Sequence, residues 1–249
     1  MDHLASILEL DSPQSEIVWD DSYMKKFSSL FITNERLLDV VLKIGYKAAL
    51  GVAIALTELV HQRSEKFYPH INASQEFTPR IKSLWAGAID PLYLKTYEFG
   101  FKYPDENGCS SPYSSNWYIL FNITNCYIEG SGCIHQYLVG LSMLARHLMP
   151  NKKIFDSWFT EVMRKTTETF PYLNDFEIID GCEVKYDCSE IAPIPREFFF
   201  DPKFKYSEEA AKPVLNAFLQ SLDYNNNPWL CAPEEMLAKG FKGEPYKVF

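Results

Sequence analysis

The 249 residues contain no Gly-x-Ser-x-Gly elbow, no His-Glu-x-x-His pair and no kinase signature, so acyl transfer, zinc hydrolysis and phosphoryl transfer find no anchor in a motif. Long apolar runs are missing as well. The longest uncharged one, residues 48–57, falls short of the ~20 residues that a bilayer crossing needs, and Lys43, Lys47 and Glu58 flank it closely. The start, MDHLASILELDSPQSEIVWDD, has no basic region ahead of an apolar run and is not read as a secretory signal, so the expected location is the cytoplasm. Cysteine is present, but Cys109, Cys126, Cys133, Cys182, Cys188 and Cys231 form no Cys-x-x-Cys pair, and Cys182 and Cys188 are separated by the five residues EVKYD, with no paired ligands elsewhere. Zinc is not expected from that spacing; free thiols in a reducing compartment are. Positive charge is also short, with 24 Lys and Arg against 33 Asp and Glu and a net charge of −9. Binding to nucleic acid rests on clustered cations, so this balance disfavours a polyphosphate partner and suits a basic protein.

What the chain does have is apolar and aromatic material for a core, 47% hydrophobic and 15% aromatic. Its centre is residues 34–63, NERLLDVVLKIGYKAALGVAIALTELVHQR, which reads as one helix, apolar nearly all round. Asn34 suits the N-cap and Glu35 the first turn. Such a helix needs partners on several sides, so the rest of the chain is expected to bury it.

Residues 1–33 read as an N-terminal arm carrying a short helix near 22–30, docked through Trp19, Tyr23 and Phe27 at helical spacing; residues 34–249 read as one helical domain. After a loop at 64–77, Thr78 and Pro79 look like the start of a second helix, with Ile81, Leu84, Trp85, Ala88 and Ile89 on its apolar face. Asp90 before Pro91 marks a break or a new start. Residues 102–112, KYPDENGCSSP, are dense in turn formers. Helices are expected at 113–127 and 132–149, separated by Gly130, Ser131 and Gly132, and an amphipathic helix at 152–170 that Pro171 ends.

From 172 to 202 the period changes. The alternation in FEIIDGCEVKY allows a small hairpin about Asp180 and Gly181, and Pro193, Pro195 and Pro202 predict an extended crossing in which Phe198, Phe199 and Phe200 need cover. Ser207 caps a helix over 207–222, and a short one follows at 233–239, stopped by Gly240. The fold class expected is mainly α: a single-domain multi-helix bundle around a buried central helix, with the hairpin at 176–187 as its one strand signal.

The candidate constellations are weak as chemistry. His135 and His147 are twelve residues apart, without the four-residue spacing that brings two ligands to one ion, and are read as structural or surface histidines. Cys133 and His135 occupy alternate positions that do not face one another on a helix. Glu168, Asp175, Glu177 and Asp180 lack the register of an acid and base pair and read first as a solvated face. Gly130-Ser131-Gly132 lacks the strand and lysine of a phosphate loop. What remains are the stretches 102–115 and 172–202, where Tyr103, Tyr113, Tyr172, Tyr186 and Phe198 to Phe200 are interleaved with Asp105, Glu106, Asp175, Glu177, Asp180, Glu183 and Asp187. Aromatic anchors with steering carboxylates suit a protein-docking surface.

NERLLDVVLKIGYKAALGVAIALTELVHQR followed by PRIKSLWAGAIDPLYLK, together with the closing NPWLCAPEEMLAKGFKGEPYKV, resembles a group of bacterial proteins that includes immunity proteins encoded beside polymorphic or type VI secreted toxins. The resemblance implies a helical, cytoplasmic protein that binds and blocks one toxin. The acidic balance makes a basic nuclease first among the candidates, and the missing motifs lead to the expectation of no enzyme activity, no cofactor and no metal. The residues then expected to contact the toxin are Asp105, Glu106, Tyr113, Asp175, Glu177, Asp180, Glu183, Tyr186 and Asp187. A non-catalytic helical adaptor and an enzyme with an unrecognised site stay open as alternatives.

Overall fold

The computed structural model describes residues 17–28, 34–67, 73–96, 111–172 and 191–248. Its helices are α1 (Asp21–Ser28), α2 (Glu35–Val41), α3 (Tyr46–Phe67), α4 (Ala73–Ile89), α5 (Pro112–Glu129), α6 (Ile134–Leu148), α7 (Lys152–Thr169), α8 (Glu197–Phe200), α9 (Glu208–Gln220) and α10 (Pro233–Ala238), with one 3-10 turn at Pro91–Tyr93. The protein is mainly α, and among the described residues pairing between extended segments is limited to two isolated bridges. The hairpin expected at 176–187 lies outside the described residues.

The central helix is α3. Val52, Ala53, Ile54, Ala55, Leu56, Leu59 and Val60 are fully buried, because α4, α5 and α6 pack around it. Asn34 caps as expected, its Oδ1 accepting from the Leu37 N–H at 3.1 Å. The single helix expected over 34–63 is instead two, broken between α2 and α3. The break has a tertiary cause. The end of α7 returns to this point, so that the Gly45 N–H donates to the Phe170 carbonyl at 2.8 Å and the Tyr172 N–H to the Lys43 carbonyl at 2.9 Å. Those groups are thereby taken from the helical ladder, and His135 Nε2 occupies the Ile44 carbonyl at 3.0 Å. Gly45 suits this closeness, since a Cβ there would lie 3.2 Å from the Pro171 carbonyl oxygen.

Helix α4 begins at Ala73, earlier than the expected start at Thr78 and Pro79, and runs through Pro79. Burial of Phe77 against His61 and Trp117 explains why the preceding turn is helical. The Pro79 carbonyl accepts from Ser83 Oγ and from Asn227 Nδ2. Asp90 caps the turn after α4, its Oδ1 accepting from the Leu92 N–H at 2.8 Å. Ser111, Asn151 and Ser207 cap α5, α7 and α9 in the same way, and Gly130 ends α5 with φ +73°.

Helix α1 sits on α6, with Phe27 in the core and the Tyr23 ring tilted against His147 at 4.3 Å. Three phenylalanines form a single helical turn, α8, where an extended crossing was expected. Phe198, Phe199 and Phe200 are all buried, and α7 holds the turn: Trp158 Nε1 donates to the Phe199 carbonyl at 3.0 Å and Lys165 Nζ to the Phe198 carbonyl at 2.9 Å. The C-terminal segment closes over the turn after α4. The Cys231 N–H donates to the Tyr93 carbonyl at 2.8 Å, and Tyr246 Oη–H donates to the Cys231 carbonyl at 2.6 Å.

Candidate binding cleft

Helices α4 and α9 stand apart over α3, and the space between them is a cleft of about 990 Å³. One wall carries Thr78, Ile81, Lys82 and Trp85 of α4, and the other Pro213, Val214, Ala217 and Phe218 of α9 with Ser221 at its C-cap. Glu58, His61 and Gln62 of α3 form the floor, with Arg196 and Glu197 alongside. Its volume is at the upper end of the ~300–1,000 Å³ usual for ligand pockets.

The gap follows from how α9 is seated. Ala211, Leu215 and Leu219, one row at four-residue spacing, are buried. Val214 and Phe218 are half-buried and Ala217 is exposed, so the neighbouring row is an apolar stripe facing the cleft. The helix is tied at its back, where the Val248 N–H donates to Asn216 Oδ1 at 2.8 Å and Asn216 Nδ2 to the Val248 carbonyl at 3.1 Å. Ordinary amphipathic burial would have drawn that stripe onto α4.

At the floor Glu58 is only 6% exposed, on a helix whose neighbouring residues Leu56, Leu59 and Val60 are fully buried. A buried carboxylate needs charge and hydrogen-bond compensation. Arg196 supplies both, with Nη2 2.6 Å from Oε1 and Nε 3.0 Å from Oε2, while Trp85 Nε1 donates to Oε2 at 3.1 Å and Gln62 Nε2 to Oε1 at 3.4 Å. Arg196 also lies over the Phe200 ring at 4.6 Å. Both carboxylate oxygens are therefore engaged, which suits a structural clamp better than a proton acceptor. Burial lowers the His61 imidazole to about 4, so it is neutral at ordinary pH. Lys82 is exposed and Glu197 half-buried; neither side chain forms an ion pair or hydrogen bond among the described residues.

Of the residues expected to contact a partner, Tyr113 alone is described. Its ring meets Phe77 edge-on at 4.3 Å, and Phe77 stacks on His61 at 4.8 Å, so an aromatic ladder leads from Tyr113 to the cleft floor. Asp105, Glu106, Asp175, Glu177, Asp180, Glu183, Tyr186 and Asp187 lie outside the described residues. Tyr172 packs edge-on against His135 at 5.7 Å, and Phe198 to Phe200 are core residues, not surface anchors. Glu168 pairs with Arg164 at 2.6 Å on an exposed face. Sequence reading passed over Glu58, His61 and Arg196. A glutamate between Leu56 and Leu59 in an otherwise apolar helix was a usable signal for a compensated buried charge; nothing local marked Arg196 as its partner.

Among the described residues no group of His, Cys, Asp and Glu is arranged to hold a metal ion, and no helix is long and apolar enough to cross a membrane. Cys126 and Cys231 are buried and Cys133 half-buried, and none of the three is in a disulfide. Compared with protein-family models, with curated proteins and with solved structures, the chain has no match.

Proposed function

We infer that this chain works by binding, as an immunity-type inhibitor that occludes a cognate bacterial toxin in the cytoplasm. The observation that supports this reading is the cleft, whose walls are mainly apolar and whose buried carboxylate is saturated by Arg196 and Trp85. Such a surface offers desolvated contact area over a floor fixed by a compensated ion pair, the ingredients of a protein-binding hot spot. A nuclease is the target that suits the net charge of −9, because a cleft built to hold nucleic acid is basic and attracts an acidic inhibitor.

The reading is tested by co-expressing the chain with a toxin gene found beside its own. Rescue of growth together with co-purification of the two proteins is the expected result. Rescue without a complex would remove direct occlusion, and so would turnover of a small molecule by the purified chain that Glu58→Gln abolishes.

A further inference from the structure

The two walls of the cleft are helices, and both present residues at three- and four-residue spacing: Thr78, Ile81, Lys82 and Trp85 on one, Val214, Ala217, Phe218 and Ser221 on the other. Paired helical ridges of this kind leave a groove that a third helix can enter, at an interaxial distance of about 8–10 Å. The lining of α9 runs from Pro213 to Ser221, about 12 Å at 1.5 Å per residue, which matches two helical turns at about 11 Å.

Charge selects among helices. The floor is neutral within itself, since Glu58 and Arg196 compensate each other. Two opposite charges are left over, and they sit toward different ends. Glu197 also lines a small pocket with Ile89, Val214, Leu215 and Phe218, toward the C-terminal end of α4 and the middle of α9. Lys82 lies toward the other end. There the carboxyl of Asp223, held low chiefly by hydrogen bonds from Asn226, also feels the Lys82 ammonium.

We propose that the cleft between α4 and α9 is the seat of an amphipathic helical segment of the partner, about two turns long. Its apolar ridge enters between Ile81 and Trp85 on one side and Val214 and Phe218 on the other. A basic side chain on the segment meets Glu197, and an acidic one meets Lys82. This occupant rests on the toxin-binding reading given above.

The test uses the full chain and the toxin encoded beside it. Val214→Asp places a carboxylate in the apolar wall, and Ala217→Trp fills the groove from an exposed position; both are expected to keep the parental far-UV circular dichroism and to weaken the complex at least ~30-fold, the size of a hot-spot loss. Lys82→Glu is expected to weaken it less and to be rescued by an acidic-to-Lys exchange in the partner helix. A photo-crosslinking residue at position 217 should capture one amphipathic partner segment, and a synthetic peptide of that segment should compete with the toxin. A complex as tight with both wall variants as with the parent overturns the proposal and leaves the inhibitor reading standing, and so does a crosslink to an extended partner segment or to a second copy of this chain. Absence of any complex or rescue overturns the inhibitor reading, and this occupant with it.

Discussion

Arg196 reaches back across 138 positions of chain to grip Glu58 with two of its guanidinium nitrogens, the closer at 2.6 Å from Oε1. The pair joins the segment leading into α8 to the middle of α3 and forms the floor of the cleft. Glu58 is 8% exposed as a side chain and Arg196 30%, so one partner is buried and the other shielded.

Removing the cation strands the anion. Arg196→Met is expected to destabilise the fold by about 2–4 kcal/mol, somewhat below the ~3–5 kcal/mol cost of breaking a fully buried pair, because Arg196 retains some solvent. The double change Glu58→Leu with Arg196→Leu should recover most of that loss. Urea unfolding of the three proteins checks this; an additive double variant would mean that the pair carries no coupling.

Acid should loosen the fold through His61. Its imidazole is held at about 4 in the folded chain, against 6.5 for the ordinary group, so below pH 6.5 the unfolded chain binds a proton that the folded one refuses. Stability is therefore full above about pH 6.5 and declines toward pH 4, by about 3 kcal/mol for this group. Burial also lowers His135, which adds a loss of the same sign. His61→Gln should flatten part of the decline in denaturation midpoint between pH 7 and 4, and a profile of unchanged steepness would exclude His61 as its source.

Gly140 is where α1 touches α6 most closely. A Cβ there would lie 1.9 Å from the Phe27 carbonyl oxygen, a backbone atom that cannot turn aside. Gly140→Ala should lift α1 away, exposing Trp19 and Phe27 while leaving α3, α5 and α6 packed. Hydrogen exchange would read this as lost protection confined to residues 17–28, whereas undiminished protection there would show that α6 can shift to absorb the methyl group.

Phe199 is the keystone of the α8 turn, 2% exposed, tilted against Trp85 at 5.6 Å and packed over Gly51, where a Cβ would come within 2.6 Å of the ring. Phe199→Ala is expected to cost about 3–5 kcal/mol as a cavity opens between α3, α4 and α7. Thermal unfolding measures it. A cost below ~1 kcal/mol would mean that the neighbours close the space.

Much of the fold was legible in the chain. The apolar runs of α3, α5 and α6, the caps at Asn34 and Ser207 and the stop at Gly130 are local matters of periodicity and hydrogen bonding, and they appear where the pattern puts them. The break at Leu42–Gly45 was not legible, because it depends on Phe170 and Tyr172 arriving from the end of α7. Nor was the earlier start of α4, which depends on what Phe77 packs against. The candidate site was less legible still. Aromatic and acidic loops drew attention by composition, whereas the cleft is made by helix faces whose residues look like ordinary core.

By itself the sequence determined that the chain is helical, that the apolar stretch within residues 34–63 supplies its centre and that its charge is negative, since each follows from composition or from spacing within a few turns. Only the tertiary structure decided that Glu58 would meet Arg196, that α9 would leave one apolar face toward a cleft and that three phenylalanines would coil into a turn. Those outcomes depend on contacts between residues far apart in the chain, and a periodic pattern specifies which face is buried without specifying what covers it.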